Sequence, residues 1–127
     1  MSSGDEETVG RVVFGESRGE PFEGQRAVAY TMVNRANHSG FPNSVRDVAN
    51  QRTTSGRHQY ETLDLPAHNS AWEDHKRRNT EEYRNAMSAS RDALGRRSAD
   101  PTHGATSFNQ SPGPNKSQIG HHYFYRN

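Results

Sequence analysis

A mainly α fold (α+β), with a short β-hairpin or loop pair near the C-terminus, is what this sequence predicts, and three observations carry the prediction. Apolar residues recur at helical spacing in separate stretches between Asp5 and Leu94. Proline and glycine punctuate the gaps between those stretches. Residues that favour strands gather only after Asp100, in "ATSFNQ" and "HHYFYRN". A chain of 127 residues and 14.3 kDa has room for one small core, so residues 1–127 are read as a single domain.

The elements follow in order. From Asp5 to Phe14, Val9, Val12 and Val13 recur at helical spacing, and Asp5, Glu6 and Glu7 give the negative first turn that a helix dipole favours. That helix should end near Gly15. Glu20 precedes a proline and is pushed out of the α region, while Pro21 suits the first turn of a second helix. In "EGQRAVAYTMVNRA" the apolar positions are so dense that two faces must be covered, which predicts a central buried helix. "HSGFPNSV" reads as a loop, and Asn43 or Ser44 can cap a short third helix through "VRDVAN". Residues 51–66 read as irregular, with a short strand or turn about Tyr60. "NTEEYRNAMSASRDALG" opens with Asn79 and Glu82 in capping-box spacing and carries Tyr83, Ala86, Met87, Ser90 and Leu94 on one face before Gly95. The two late β-rich segments flank the Pro- and Gly-rich "SPGPNKSQIG", and either pair as a hairpin or line one groove as loops.

Composition excludes several classes. The apolar fraction is low at 28%, but 16 basic and 15 acidic residues nearly cancel, which is not the balance of a disordered chain. Cysteine is absent, so disulfides, thiolate nucleophiles and Cys-rich zinc sites are out. "MSSGDEETVG" lacks the apolar region of a secretory leader, and no run approaches a membrane span. The expectation is a cytoplasmic protein, or one exported in mature form or by a non-classical route. Lysine is scarce and the net charge is +1, so "KRR" at 76–78 and "GRR" at 95–97 read as solvated helix faces rather than nucleic-acid contacts. The histidines show no HExxH or other ligand spacing, and neither metal nor cofactor is expected.

The residues that could carry chemistry sit in "GESRGEP", residues 15–21. Glu16 follows Val12, Val13 and Phe14, and a carboxyl held against apolar neighbours stays protonated to higher pH, as a general acid requires. On pattern alone a solvated surface glutamate is the commoner outcome. Glu20 and Glu23 read as dipole compensation for the second helix. A spacing of four across a chain break does not fix a distance between Glu16 and Glu20, so a carboxylate pair of the glycosidase kind is not established.

Longer motifs say more. "RVVFGESRGEPFEGQRAVAYTMVNRANHSGFPNSVRDV" resembles the opening motif of the SleB-type cell-wall hydrolases, the spore-cortex-lytic family. "RHQYE" resembles that family's Gln-aromatic segment, "DPTHGATSFNQ" its DPTxGA, and "IGHHYFY" its closing IGxHxFY. The resemblance implies a lysozyme-like domain, related to the lytic transglycosylases, acting as a monomer on peptidoglycan glycan strands. It implies one essential glutamate, Glu16, cleaving between N-acetylmuramic acid and N-acetylglucosamine. It places Ser17, Gln59, Tyr60, Phe108, Asn109, His121 and Tyr125 at the substrate, with Gly15 and Gly19 allowing sugar and backbone to approach. A muramidase-type hydrolase using Glu20 or another carboxylate, and a carbohydrate-binding protein without catalysis, are the alternatives. The segment 52–78 departs from the family pattern.

Overall fold

The computed structural model describes residues 3–127. Two long helices, α1 (Ser3–Ser17) and α2 (Phe22–Ala36), are joined by a short turn, and α3 (Val45–Ala49) follows. A 3₁₀-helix (Glu61–Asp64) leads into α4 (Pro66–Arg78) and α5 (Glu81–Leu94). Three short strands close the chain: β1 (Ser107–Asn109), β2 (Ser117–Ile119) and β3 (His122–Tyr125).

The core is built where the dense apolar run demanded it. Ala27, Val28, Ala29, Tyr30, Met32 and Val33 of α2 are all buried, because α1 and α5, which also pack on each other, together with α3 and the sheet cover this helix on more than one face. α1 contributes Val9, Val12, Val13 and Phe14, and α5 contributes Ala86, Met87, Ala89, Ala93 and Leu94. Small residues on α5 let the helices approach closely, and Trp72 fills the remaining space, edge-on to Phe14 with ring centroids 5.4 Å apart. The acidic start of α1 also ties the bundle together: Glu6 pairs with Arg91 at 3.0 Å and its carbonyl accepts from Ser90 Oγ at 2.7 Å.

Three features differ from the sequence reading. α4 lies where only its last residues, "KRR", were read as a helix face; it buries only Trp72, and Pro66 occupies its first turn. Asn79 does not cap α5. It ends α4 in the left-handed region at φ 50°, and Thr80 is the N-cap of α5, its Oγ1 accepting from Tyr83 N at 3.2 Å. The two late β-rich segments do pair antiparallel, as β1 with β3, Phe108 opposite Phe124; the difference is β2, a strand in the Pro- and Gly-rich stretch that adds to the other edge of β3 with Gln118 opposite Tyr123, giving a three-stranded sheet of order β1-β3-β2. Ser44 does cap α3, accepting from Asp47 N at 3.1 Å. No helix among the described residues is long and apolar enough to cross a membrane.

The sheet is fastened to the helices by polar groups. Arg35, at the end of α2, donates to the Thr106 carbonyl at 2.5 Å, to Ser107 Oγ at 3.3 Å and to Gln51 Oε1 at 3.3 Å. Asn34 donates to Asp100 and to the Ala105 carbonyl. Asp100 also accepts from the Thr102 and Gly104 backbone and from Thr102 Oγ1, so the "DPTHGA" motif is a self-bonded loop anchored on "NR". Asp100 is partly desolvated, but these donors favour its charged form and hold its pKa below the ordinary value.

Candidate active site

The last turn of α1 delivers Glu16 to the junction of two open depressions. One, of about 420 Å³, is walled by Gly15, Glu61, Thr62, Leu65 and His68 on the helical side and by Phe108, Asn109, Gln110 and His122 on the sheet side. The other, of about 470 Å³, is walled by Thr53, Ser55, Arg57, His58, Gln59 and Glu61. Glu16 and Glu61 border both, so the two form a groove that passes over Glu16. Each volume is in the range of ligand sites, roughly 300–1,000 Å³.

The local sequence explains why the carboxyl sits there. Gly15 lets the 3₁₀-helix dock on the end of α1: a Cβ at this position would lie 1.8 Å from Thr62 Oγ1. That docking brings the Thr62 backbone N–H to Glu16 Oε2 at 3.4 Å. Thr62 Oγ1 is in turn bonded to His68 Nδ1 at 3.1 Å, which ties the 3₁₀-helix to α4. Burial raises the Glu16 pKa, the Thr62 N–H opposes the rise, and the nearby charge of Glu61 adds to it. The result is a partly desolvated carboxyl, protonated to higher pH than an ordinary glutamate.

The other predicted residues divide. Phe108 and Asn109 line the first depression and Gln59 the second. Ser17 does not face the groove: it is 3% exposed and its Oγ donates to the Val13 carbonyl at 2.7 Å, the back-bond of a helix serine. Tyr60 is 4% exposed and lies behind Glu16, its hydroxyl pushed up to about 12 by burial, so it is not a groove residue. Tyr125 sits with Thr102, His103 and Arg126 in a separate depression, apart from Glu16. His121 is exposed in the β2–β3 turn and bonds Glu20. Gly19 has open space around it, and Gly15 walls the first depression while making room for Thr62.

Glu20 is committed elsewhere. Its Oε1 accepts from His121 N at 2.6 Å and its Oε2 is 2.9 Å from His121 Nδ1. Partial desolvation raises its pKa, but the His121 donors outweigh this and hold it below the ordinary value. Gly120, at φ +62°, makes the clamp possible, since a Cβ there would meet Glu20 Oε1 at 2.3 Å. The "GEP" and "IGHH" motifs are therefore two sides of one contact between the α1–α2 turn and the sheet.

Sequence reasoning missed Glu61, His68 and His122. Glu61 closes the "RHQYE" segment, of which only Gln59 and Tyr60 were placed at the substrate, and His68 stands beyond it, where no motif guided the reading. His122 had a signal: in "IGHHYFY" the histidine that aligns with IGxHxFY is His122, not His121.

A family model described as Cell Wall Hydrolase matches residues 19–125, starting just after Glu16. The spore cortex-lytic enzyme of Bacillus subtilis is 49% identical over 48 residues, 38% of this chain and 16% of that protein. That of Oceanobacillus iheyensis is 47% identical over 47 residues, 37% of this chain and 17% of that protein. The match thus spans about a sixth of these curated relatives. The catalytic domain of the germination-specific lytic transglycosylase SleB from Bacillus anthracis superposes with a TM-score of 0.68 at 27% identity, covering 99% of this chain and 97% of that one. The catalytic domain of the Bacillus cereus SleB protein gives a TM-score of 0.67 at 26% identity, covering 98% and 91%.

Proposed function

The chain belongs to the cell wall hydrolase family, and from that premise we propose that it is a peptidoglycan lytic transglycosylase in which Glu16 is both acid and base. The substrate class rests on the family and on the structural neighbours, one of which is a germination-specific lytic transglycosylase. The observation that carries the chemistry is the Glu16 carboxyl, partly desolvated yet set in an open groove, with Oε2 on the Thr62 N–H and Oε1 without a hydrogen-bond partner among the described residues.

In the forward step the Glu16 proton passes to the oxygen bridging N-acetylmuramic acid and N-acetylglucosamine, and the C1–O bond of the muramyl residue breaks. The carboxylate so formed takes the proton of the muramyl 6-hydroxyl, whose oxygen bonds to C1 and closes the anhydro ring. Atoms balance without water, and Glu16 ends protonated. One carboxyl suffices, which agrees with Glu20 being held by His121.

A muramidase reading has one specific observation behind it, the second groove carboxylate of Glu61, which would activate water. Mass spectrometry of purified peptidoglycan decides. The expected products of wild type are muropeptides with 1,6-anhydro ends, lacking one water relative to hydrolytic products, and Glu16→Gln should yield about 10²–10⁴-fold less while keeping its circular-dichroism spectrum. Hydrolytic ends from wild type would transfer the base role to Glu61. Full turnover by Glu16→Gln would overturn the assignment of Glu16.

A further inference from the structure

His122 opens β3 on the wall of the groove facing Thr62 and His68. It is 6% exposed, and its Nδ1 is enclosed with no hydrogen-bond partner. Among the described residues no group bonds the other ring nitrogen, Nε2, and Nε2 is not enclosed in the same way. Phe108 packs edge-on against the imidazole at 4.9 Å and Phe124 at 6.2 Å.

Burial lowers the His122 pKa; the charge of Glu20 opposes that shift and His121 adds to it. A neutral ring carries one N–H. A donor enclosed at Nδ1 without an acceptor would cost about 1–3 kcal/mol, so the proton belongs on Nε2, where the groove can supply a partner. Beside this donor on the same wall lies the half-buried Phe108 ring.

A planar acetamido group fits this wall, its carbonyl oxygen accepting a hydrogen bond and its methyl resting on an aromatic face. We propose that His122 Nε2–H holds the acetamido carbonyl of the sugar bound beside Glu16, making this wall the subsite that reads N-acetylation. The proposal rests on the amino-sugar substrate class of the proposed function, and its test does not depend on turnover.

Binding is measured on the uncleaving Glu16→Gln protein with tetra-N-acetylchitotetraose and with cellotetraose, two neutral oligomers that differ at C2. The N-acetylated oligomer should bind more tightly. His122→Phe, which keeps the ring contacts and removes the donor, should reduce that preference roughly five- to tenfold. His122→Gln, whose amide nitrogen falls near the Nε2 position, should restore part of it. Equal affinity for the two oligomers, or no binding of either, overturns the subsite. So does a folded His122→Phe with unchanged preference. Independently of any variant, ¹⁵N spectra of histidine-labelled protein should show His122 as the Nε2–H tautomer, shifted by the N-acetylated oligomer; the Nδ1–H tautomer overturns the proposal. Failure of the proposed function would instead appear as wild type leaving peptidoglycan intact, whatever the oligomers do.

Discussion

Glu16 owes its elevated pKa first to burial and then to Glu61, and the second cause can be removed without touching the first. Glu61 is exposed and lines both halves of the groove, so Glu61→Gln deletes a negative charge while leaving the packing around Glu16 intact. The general acid must be protonated, so activity is lost as pH rises through the Glu16 pKa. Without Glu61 that pKa falls, and the alkaline limb of the kcat profile should move to lower pH. An unmoved limb would show that Glu61 does not act on Glu16; abolished activity at every pH would point to the hydrolytic role instead. At this scale the sequence was uneven. The three apolar residues before Glu16 only hinted at its burial, and it was the resemblance of "GESRGEP" to a family motif that singled it out. The back-bond of Ser17 and the burial of Tyr60 were not legible, because both depend on which way a side chain turns once the helices have packed.

Among the elements, α2 and α5 were legible because their apolar residues are numerous enough to impose a period, and α3 because Ser44 announces it. α4 was hidden by its composition. A helix that buries a single tryptophan and otherwise carries His, Asn, Asp and Arg shows no apolar stripe to read. β2 was hidden likewise, being a short edge strand with Ser117 and Gln118 exposed inside a Pro- and Gly-rich stretch. Missing α4 led directly to the misreading of Asn79, since a residue that ends one helix was taken as the start of the next. The two assignments make different predictions. Thr80→Ala should lower stability by about 1 kcal/mol, whereas Asn79→Gly, which suits the left-handed backbone, should leave it nearly unchanged. Chemical denaturation of both variants checks this. A larger loss from Asn79→Gly than from Thr80→Ala would return the cap to Asn79.

At the scale of the molecule, the groove has one wall on helices and one on the sheet, and few apolar residues join the two. Polar contacts do that work: Asn34 with Asp100, Glu20 with the β2–β3 turn, and above all Arg35. Arg35 is buried, forks to Thr106, Ser107 and Gln51, and stacks with its guanidinium carbon 4.8 Å from the Phe41 ring and 5.5 Å from the Tyr60 ring. The "NR" and "DPTHGA" motifs thus join the helical wall to the sheet wall, and we read them as setting the spacing of the groove. Arg35→Lys tests this reading, because lysine keeps the charge but cannot present the planar fork or the same stacking. Losing charge-assisted hydrogen bonds inside the protein costs about 1.5–3 kcal/mol each at most, so a net loss of about 2–3 kcal/mol is expected, or roughly 5–15 °C in Tm. If Arg35 sets the wall spacing, peptidoglycan turnover should fall even at temperatures where the variant remains folded, because His122 and Phe108 ride on the strands that Arg35 positions. A Tm within about 2 °C of wild type would show that lysine replaces the fork after all. A large drop in Tm with undiminished turnover by the folded variant would confine Arg35 to stability and leave the wall spacing to Glu20 and Asn34.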